Sequence, residues 1–373
     1  MKRLILLAGV LVLAVPFGLY LVWDAHTRAL GNALVSDFGA VKHRVIKRDP
    51  VPQAALHDNG YQCLGSMLDV TTADFEPFSG KTLDEFITGE KPISELSPAV
   101  RERMQVFSPW AASLRSCGSS VQLTWVDGLS PWADDAHPRS TRLTQAVPAL
   151  ITFTALELRV LLADGQPEVA LERCTATWAL AADQSHLSLL GGLYARLAVR
   201  RLAPACGQAL AAVPPEVRTQ LARQWSALRN RLAPVKEVVE ADRLGTAVRT
   251  FAWVSSEAIR SQLPATSPGV TFAAKIQSGR TWREWDEAMR QLSAVVETPS
   301  AERQKAAARV DALVDLQFEK FLTSYEETFV LLDLLADLAA GGAKPLPPSV
   351  SRTEQGLEFV SAQGPRLIIP TPK

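Results

Sequence analysis

Residues 4 to 23 read LILLAGVLVLAVPFGLYLVW, twenty apolar or small positions in a row, with Lys2 and Arg3 before them and Asp24 after. No other stretch constrains the chain so strongly. A helix of that length rises ~30 Å, enough to cross the hydrocarbon core of a bilayer. A signal peptide's apolar region is shorter, about 7 to 15 residues, and ends at a small-x-small cleavage site. The nearest approach here, Ala25-His26-Thr27, is a poor match. The first cysteine is Cys63, too far away for lipoprotein processing. Pro16 lies inside the run, and a membrane helix tolerates it as a kink. Lys2 and Arg3 favour keeping residues 1–3 in the cytoplasm. The expectation is a retained anchor over 4–23 in a bacterial inner membrane, with everything from Asp24 onward facing the periplasm. A cleaved signal is the alternative.

Charge narrows the partners. The chain of 373 residues carries 39 Lys and Arg against 39 Asp and Glu. Nucleic acid as the main partner is thereby disfavoured, because phosphate binding needs a surface with a cationic surplus. Two local imbalances stand out. Residues 140–250 hold thirteen Arg or Lys against nine acids, while Asp315 to Asp337 holds six acids and only Lys320. Both read first as solvated helix faces.

Four cysteines, Cys63, Cys117, Cys174 and Cys206, contain no C-x-x-C pair and have no histidine at ligand spacing, so zinc is a poor reading. An oxidising compartment favours disulfides. Three pairings are open, and spacing favours Cys63 with Cys117 and Cys174 with Cys206. Buried free thiols are the competing reading.

Most of the remaining chain is patterned as helix. Residues 24–58 read as a juxtamembrane helix reaching about Ile46, then a linker, because Pro50 and Pro52 disfavour helix before them. Helices are expected over about 59–69, 82–88 and 97–117, with Asp58 or Asn59 capping the first. Residues 118–139, GSSVQLTWVDGLSPWADDAHPR, have the composition of a loop. The run AVPALITFTALELRVLLADG is apolar nearly all round and marks a buried helix, turned by Asp164-Gly165 and restarted by Pro167. Val217, Leu221, Trp225, Leu228 and Leu232 form a stripe over four turns. Helix continues over 235–257 and resumes at about 281–296, where Trp282 and Trp285 read as core. A last helix opens at Pro299-Ser300 and runs toward Ala340. The body therefore spans 59–340, with a candidate subdivision at 261–269. The tail, 341–373, is rich in Pro and Gly and holds a small β-hairpin or extended strap.

The fold class expected is mainly α: an N-terminal transmembrane helix, then a bundle or short solenoid of helical hairpins. The paired helices between 140 and 257 resemble tetratricopeptide-like hairpins in architecture, although no second copy recurs at the period of that repeat. Lys2 to Trp23, the Ala/Leu/Arg-rich stretch 149–232 and the tail 341–370 together resemble a loosely defined set of uncharacterised bacterial envelope proteins with one anchor and a helical body. That resemblance implies a location and no activity.

Motifs for nucleotide binding, hydrolase elbows or zinc proteases are missing. The five histidines lie singly along the chain. Asp134, Asp135 and His137 stand close together in the 118–139 stretch, an arrangement that suits acid/base or metal chemistry or, more plainly, an exposed turn. Trp125 and Trp132 from the same stretch, with Trp110, form with them a candidate aromatic and acidic recognition patch. No cofactor or metal is implied. The expected function is a membrane-anchored interaction or scaffold protein of the envelope with a protein partner, and the Arg-rich stretch 140–250 is where that partner would be sought. The alternative is a polysaccharide-binding or glycan-processing protein using the Trp/Asp-rich stretch.

Overall fold

The computed structural model of the chain describes residues 44–48, 58–70, 83–126, 138–255, 268–314, 317–362 and 366–371, with isolated positions elsewhere. The expected anchor and the juxtamembrane helix ahead of Arg44, apart from isolated positions in each, and residues 261–267 of the expected linker lie outside the described residues. Helix dominates: eleven α-helices and five short strands occur among the described residues.

Strand β1 (Val45–Lys47) pairs antiparallel with β2 (Gln122–Thr124). Between them come α1 (Gly60–Val70), α2 (Asp84–Thr88) and α3 (Pro98–Ser116), the last followed by a 3₁₀ turn over Cys117–Ser119. The body follows as α4 (Pro138–Ala163), α5 (Pro167–Gln184), α6 (Leu189–Ala211), α7 (Pro215–Arg231), α8 (Val235–Ser255), α9 (Pro268–Val295), α10 (Ala301–Val314) and α11 (Phe318–Ala339). Strands β3 (Val350–Thr353), β4 (Gly356–Phe359) and β5 (Leu367–Ile369) close the chain as an antiparallel sheet in the order β3-β4-β5.

Local chemistry accounts for many of these boundaries. Ser97 caps α3 by accepting from the Val100 amide at 3.4 Å, and Pro98 fills the first helical position. After α4 the chain reverses at Gly165, whose φ of 73° suits a residue without a side chain. The amide of Gln166 reaches back to the Leu161 carbonyl at 2.8 Å and that of Gly165 to Leu162 at 3.2 Å, satisfying the last carbonyls of α4. Helix α4 is long and apolar enough to cross a membrane, yet it packs against α5 and α6 as a core helix.

Four differences from the sequence reading concern where elements begin and end. Residues 45–47 are strand, not the end of a helix, and 122–124, read as loop, are their partner. The long helix expected after Ser300 is two, α10 and α11, because Asp311 turns its carboxylate to the Phe318 amide (2.7 Å) and so caps a second start. Helix α9 begins at Pro268, well before 281. The tail carries a third strand beyond the expected hairpin, and β5 packs on α6.

One core cluster runs through the body. At its centre Trp178 and Trp225 meet edge to face at 5.2 Å, and each indole N–H has a partner, the Ala198 carbonyl (3.2 Å) and the Thr175 hydroxyl (2.9 Å). Trp285 is also core. Helix α6 packs against α4, α5, α8 and α11, and α11 also lies along α7. An open solenoid has contacts only between successive repeats. The return of α11 onto α6 and α7 makes this body a bundle.

Both cysteine pairs favoured by spacing are disulfides. Cys63–Cys117 joins α1 to the turn after α3, with Cα atoms 5.5 Å apart, and Cys174–Cys206 joins α5 to α6 at 6.3 Å.

The two charge imbalances of the sequence face each other. Arg200 and Arg229, on α6 and α7, reach Glu327 (3.3 Å) and Asp333 (3.5 Å) on α11, and Glu319 and Glu326 hold the buried Arg303 of α10. Arg201 pairs with Asp84, and Arg243 with Asp286 at 2.6 Å. Much of the Arg-rich stretch is therefore engaged in joining helices to one another.

Candidate functional site

The β1–β2 sheet forms one wall of a cleft. The register sets Ile46 opposite Leu123, and the same alternation puts Arg44 and Trp125 on that face. All four line a cavity of about 370 Å³. The remaining walls come from Tyr61 on α1, His186 in the α5–α6 turn, Pro234, Lys236, Glu237, Glu240 and Ala241 around the head of α8, and Glu297 after α9. Ile46, Tyr61, Leu123, Trp125, Pro234 and Ala241 give it an apolar floor, and the charged groups form its rim.

Asn59 fixes the sheet against α1. Its side-chain oxygen accepts from the amides of Tyr61 (3.1 Å) and Thr124 (3.0 Å), while its Nδ2 donates to the Thr124 carbonyl (3.1 Å). One side chain thus caps a helix and anchors a strand.

Beneath the cleft lies a buried ionic cluster. Arg48, directly after β1, pairs with Asp183 and donates to the Ser120 hydroxyl. Arg231, at the end of α7, donates to both Asp183 oxygens at 3.0 and 3.1 Å and to the Gly118 carbonyl at 2.7 Å. The Asp183 side chain is only 2% exposed. Burial lowers the Arg231 guanidinium from its ordinary value, and Asp183 works against that. Tyr61 donates to the Asp183 carbonyl at 2.7 Å, and burial, aided by the Asp183 charge, pushes its hydroxyl well above the usual tyrosine value. The cluster joins the first strand to α5 and α7 and so sets where the cleft wall stands.

Above it, Glu237 accepts from Arg44 at 2.8 Å and bonds His186 Nδ1 at 2.9 Å. Burial alone would raise this carboxyl, but the hydrogen bond and charge of His186, together with Arg44, outweigh burial and hold it below the usual range. His186 Nε2 lies 2.9 Å from the Arg231 carbonyl. The pair looks at first like an acid/base dyad. Both ring nitrogens are already engaged by the protein, which leaves neither to exchange a proton with a substrate.

Of the residues singled out in the sequence, Trp125 lines the cleft, half-buried. Trp110 does not line it; its ring lies 4.7 Å from Phe107 on the same helix α3. Trp132, Asp134, Asp135 and His137 lie outside the described residues. Sequence reasoning missed Arg44, Arg48, Asp183, His186, Arg231 and Glu237. The one available signal was the alternation in VQLTW at 121–125, a period of two inside an apparent loop. Among the described residues, no cluster of His, Cys, Asp and Glu is arranged to hold a metal ion. No protein-family model matches the chain, and comparison with curated proteins and with solved structures found no match either.

Proposed function

We propose that this chain is a membrane-anchored interaction protein of the bacterial envelope, which presents its helical body on the periplasmic side and receives a segment of a protein partner in the cleft between β1–β2 and the head of α8. The cleft carries this reading. Its volume of about 370 Å³ suits one or two side chains of a partner, its floor is apolar, and its charged rim is largely neutralised from within by Arg44–Glu237 and Glu240–Arg243. The apolar run 4–23 supports the anchor, and two disulfides support an oxidising compartment. Together with the engaged ring of His186, these features favour binding over catalysis.

The test is photocrosslinking in intact cells from a benzoyl-phenylalanine placed at Lys236, with and without Ala241→Phe to fill the cleft. A discrete adduct in the membrane fraction that disappears with the filled cleft supports the reading. Adducts unchanged by the filling place the interaction elsewhere and end it.

A second reading has one observation in its favour. The Trp125 indole shares the cleft with the carboxylates of Glu237 and Glu240, a combination that stacks on and hydrogen-bonds to sugar rings. Quenching of tryptophan fluorescence by peptidoglycan fragments, lost in Trp125→Leu, would favour a glycan over a protein segment.

A further inference from the structure

Backbone groups in a strand point alternately to its two edges, so the register of β1 and β2 fixes which of them face outward. The Arg48 amide donates to the Val121 carbonyl at 3.0 Å, just past the end of the paired strands. Two positions back, Ile46 and Leu123 face each other in the same way. Val45 and Lys47 on one strand, and Gln122 and Thr124 on the other, therefore turn their backbone groups away from the pair. The far edge of β2 is closed. The Asn59 side chain donates to the Thr124 carbonyl at 3.1 Å and accepts from the Thr124 amide at 3.0 Å, as the backbone of a further strand would.

The far edge of β1 has no such cover. Among the described residues nothing bonds to the outward amides and carbonyls of Val45 and Lys47. Val45 is 49% exposed, and Lys47 is exposed as well. An open edge of this kind is a template for another strand, and charge decides which strand it accepts. Arg44, Lys47 and Arg48 put three cations into five residues. Arg44 faces Glu237 and Arg48 faces Asp183, whereas Lys47 has no acidic partner among the described residues. A second copy of β1 would crowd like charges into one short ladder, which is destabilising. A strand with an acid opposite Lys47 is favoured by the same rule.

We propose that the outer edge of β1 takes up an extended, acid-bearing segment of a protein partner as an antiparallel third strand, with an acidic side chain opposite Lys47 and its neighbour opposite Ile46 turned to the cleft face. Side chains opposite Val45 and Lys47 lie on the face away from the cleft, and the one between them lies beside Ile46, which lines the cleft. Main-chain bonds then supply affinity, and the side chain beside Ile46 supplies selectivity. That this segment comes from the cleft's own partner rests on the reading above; the open edge does not.

The test uses the full-length chain in detergent micelles and a fluorescein-labelled hexapeptide of alternating glutamate and valine, followed by fluorescence anisotropy. Saturable binding is expected. An antiparallel strand with glutamates opposite Val45 and Lys47 bonds to the edge through its glutamate amides. N-methylation of those amides should weaken binding at least about fivefold, the factor that one backbone hydrogen bond carries, while N-methylation of the valine amides should leave it within about twofold. Val45→Pro removes an outward N–H and spares the ladder to β2, so it should weaken binding comparably. Lys47→Glu should reverse the preference for this peptide over its lysine–valine counterpart. Absence of saturable binding, equal losses from the two methylated peptides, or a preference unchanged in Lys47→Glu overturns the proposal. The methylated peptides leave the protein unaltered, so the test stands even if Val45→Pro folds poorly. If the peptides behave as expected while the Lys236 adduct ignores Ala241→Phe, the edge stands and the cleft reading falls.

Discussion

At the scale of single residues, the site depends on charges placed where water cannot reach them. Asp183 faces two guanidiniums, and removing its charge leaves two buried cations with no counter-ion. Breaking a buried pair from one side typically costs about 3–5 kcal/mol. Asp183→Asn keeps the volume, so a loss of that size in chemical denaturation would be electrostatic in origin; a loss under about 1 kcal/mol would mean that the cluster relaxes or admits water. Glu237 yields a prediction in pH. Its carboxyl is held below the ordinary value, so its contribution to stability is complete above the unfolded value of about 4.3 and disappears as pH falls through the lower folded value. Wild-type Tm should therefore fall below about pH 4 more steeply than that of Glu237→Gln. Parallel acid limbs would show that Glu237 contributes nothing to the folded state.

At the scale of elements, the helices were legible because each buries a stripe of its own. The stripe Val217, Leu221, Trp225, Leu228 is local information, and Gly165-Gln166-Pro167 announces both an end and a start within three residues. The β1–β2 pair had no such signal. Beyond the five-residue alternation at 121–125 no period registers, because each strand is three residues long, and the pairing joins residues 77 positions apart, Ile46 to Leu123. Apart from Trp125 the site was illegible for the same reason, since its other parts come from positions 44, 48, 61, 186, 231 and 237 and meet only when α1, α5, α7 and α8 have packed. The split of the last helix turned on one side chain, Asp311, capturing one amide. The Cys63–Cys117 bond stiffens this region: it closes a 54-residue separation around α1, α2 and α3 and braces the elements flanking β2. By loop closure alone such a bond contributes roughly 4 kcal/mol. The double variant Cys63→Ser/Cys117→Ser should lose most of that in denaturant, and proteolysis should strike first between residues 48 and 126. Initial cleavage within α5–α7 instead would show that the cleft wall does not depend on this bond.

At the scale of the whole molecule, the decisive feature is the return of α11. It buries Phe321, Leu322, Tyr325, Leu331 and Leu335 against helices more than a hundred residues earlier, and the Tyr325 hydroxyl donates to the Ala233 carbonyl at 2.8 Å. It also ties down the tail, because Glu327 accepts from the Ser361 hydroxyl at 2.6 Å and the Ala362 amide at 2.7 Å while pairing with Arg200. A solenoid shortened by its last helices keeps the stability of the repeats that remain, since each contacts only its neighbours. Here, ending the chain after residue 316 strips α6 and α7 of a whole apolar face and removes β5 from α6 as well. At roughly 1.5–3 kcal/mol for each large side chain no longer buried, the five named above account for about as much as the entire net stability of a domain. The shortened chain should retain helical circular dichroism from its local propensities, lose a cooperative thermal transition and become open to protease throughout 138–255. A sharp transition in that variant would mean that α4 to α8 form a self-sufficient unit with α11 as an accessory to it. The cleft would then survive the loss, because none of its lining residues lies beyond Glu297.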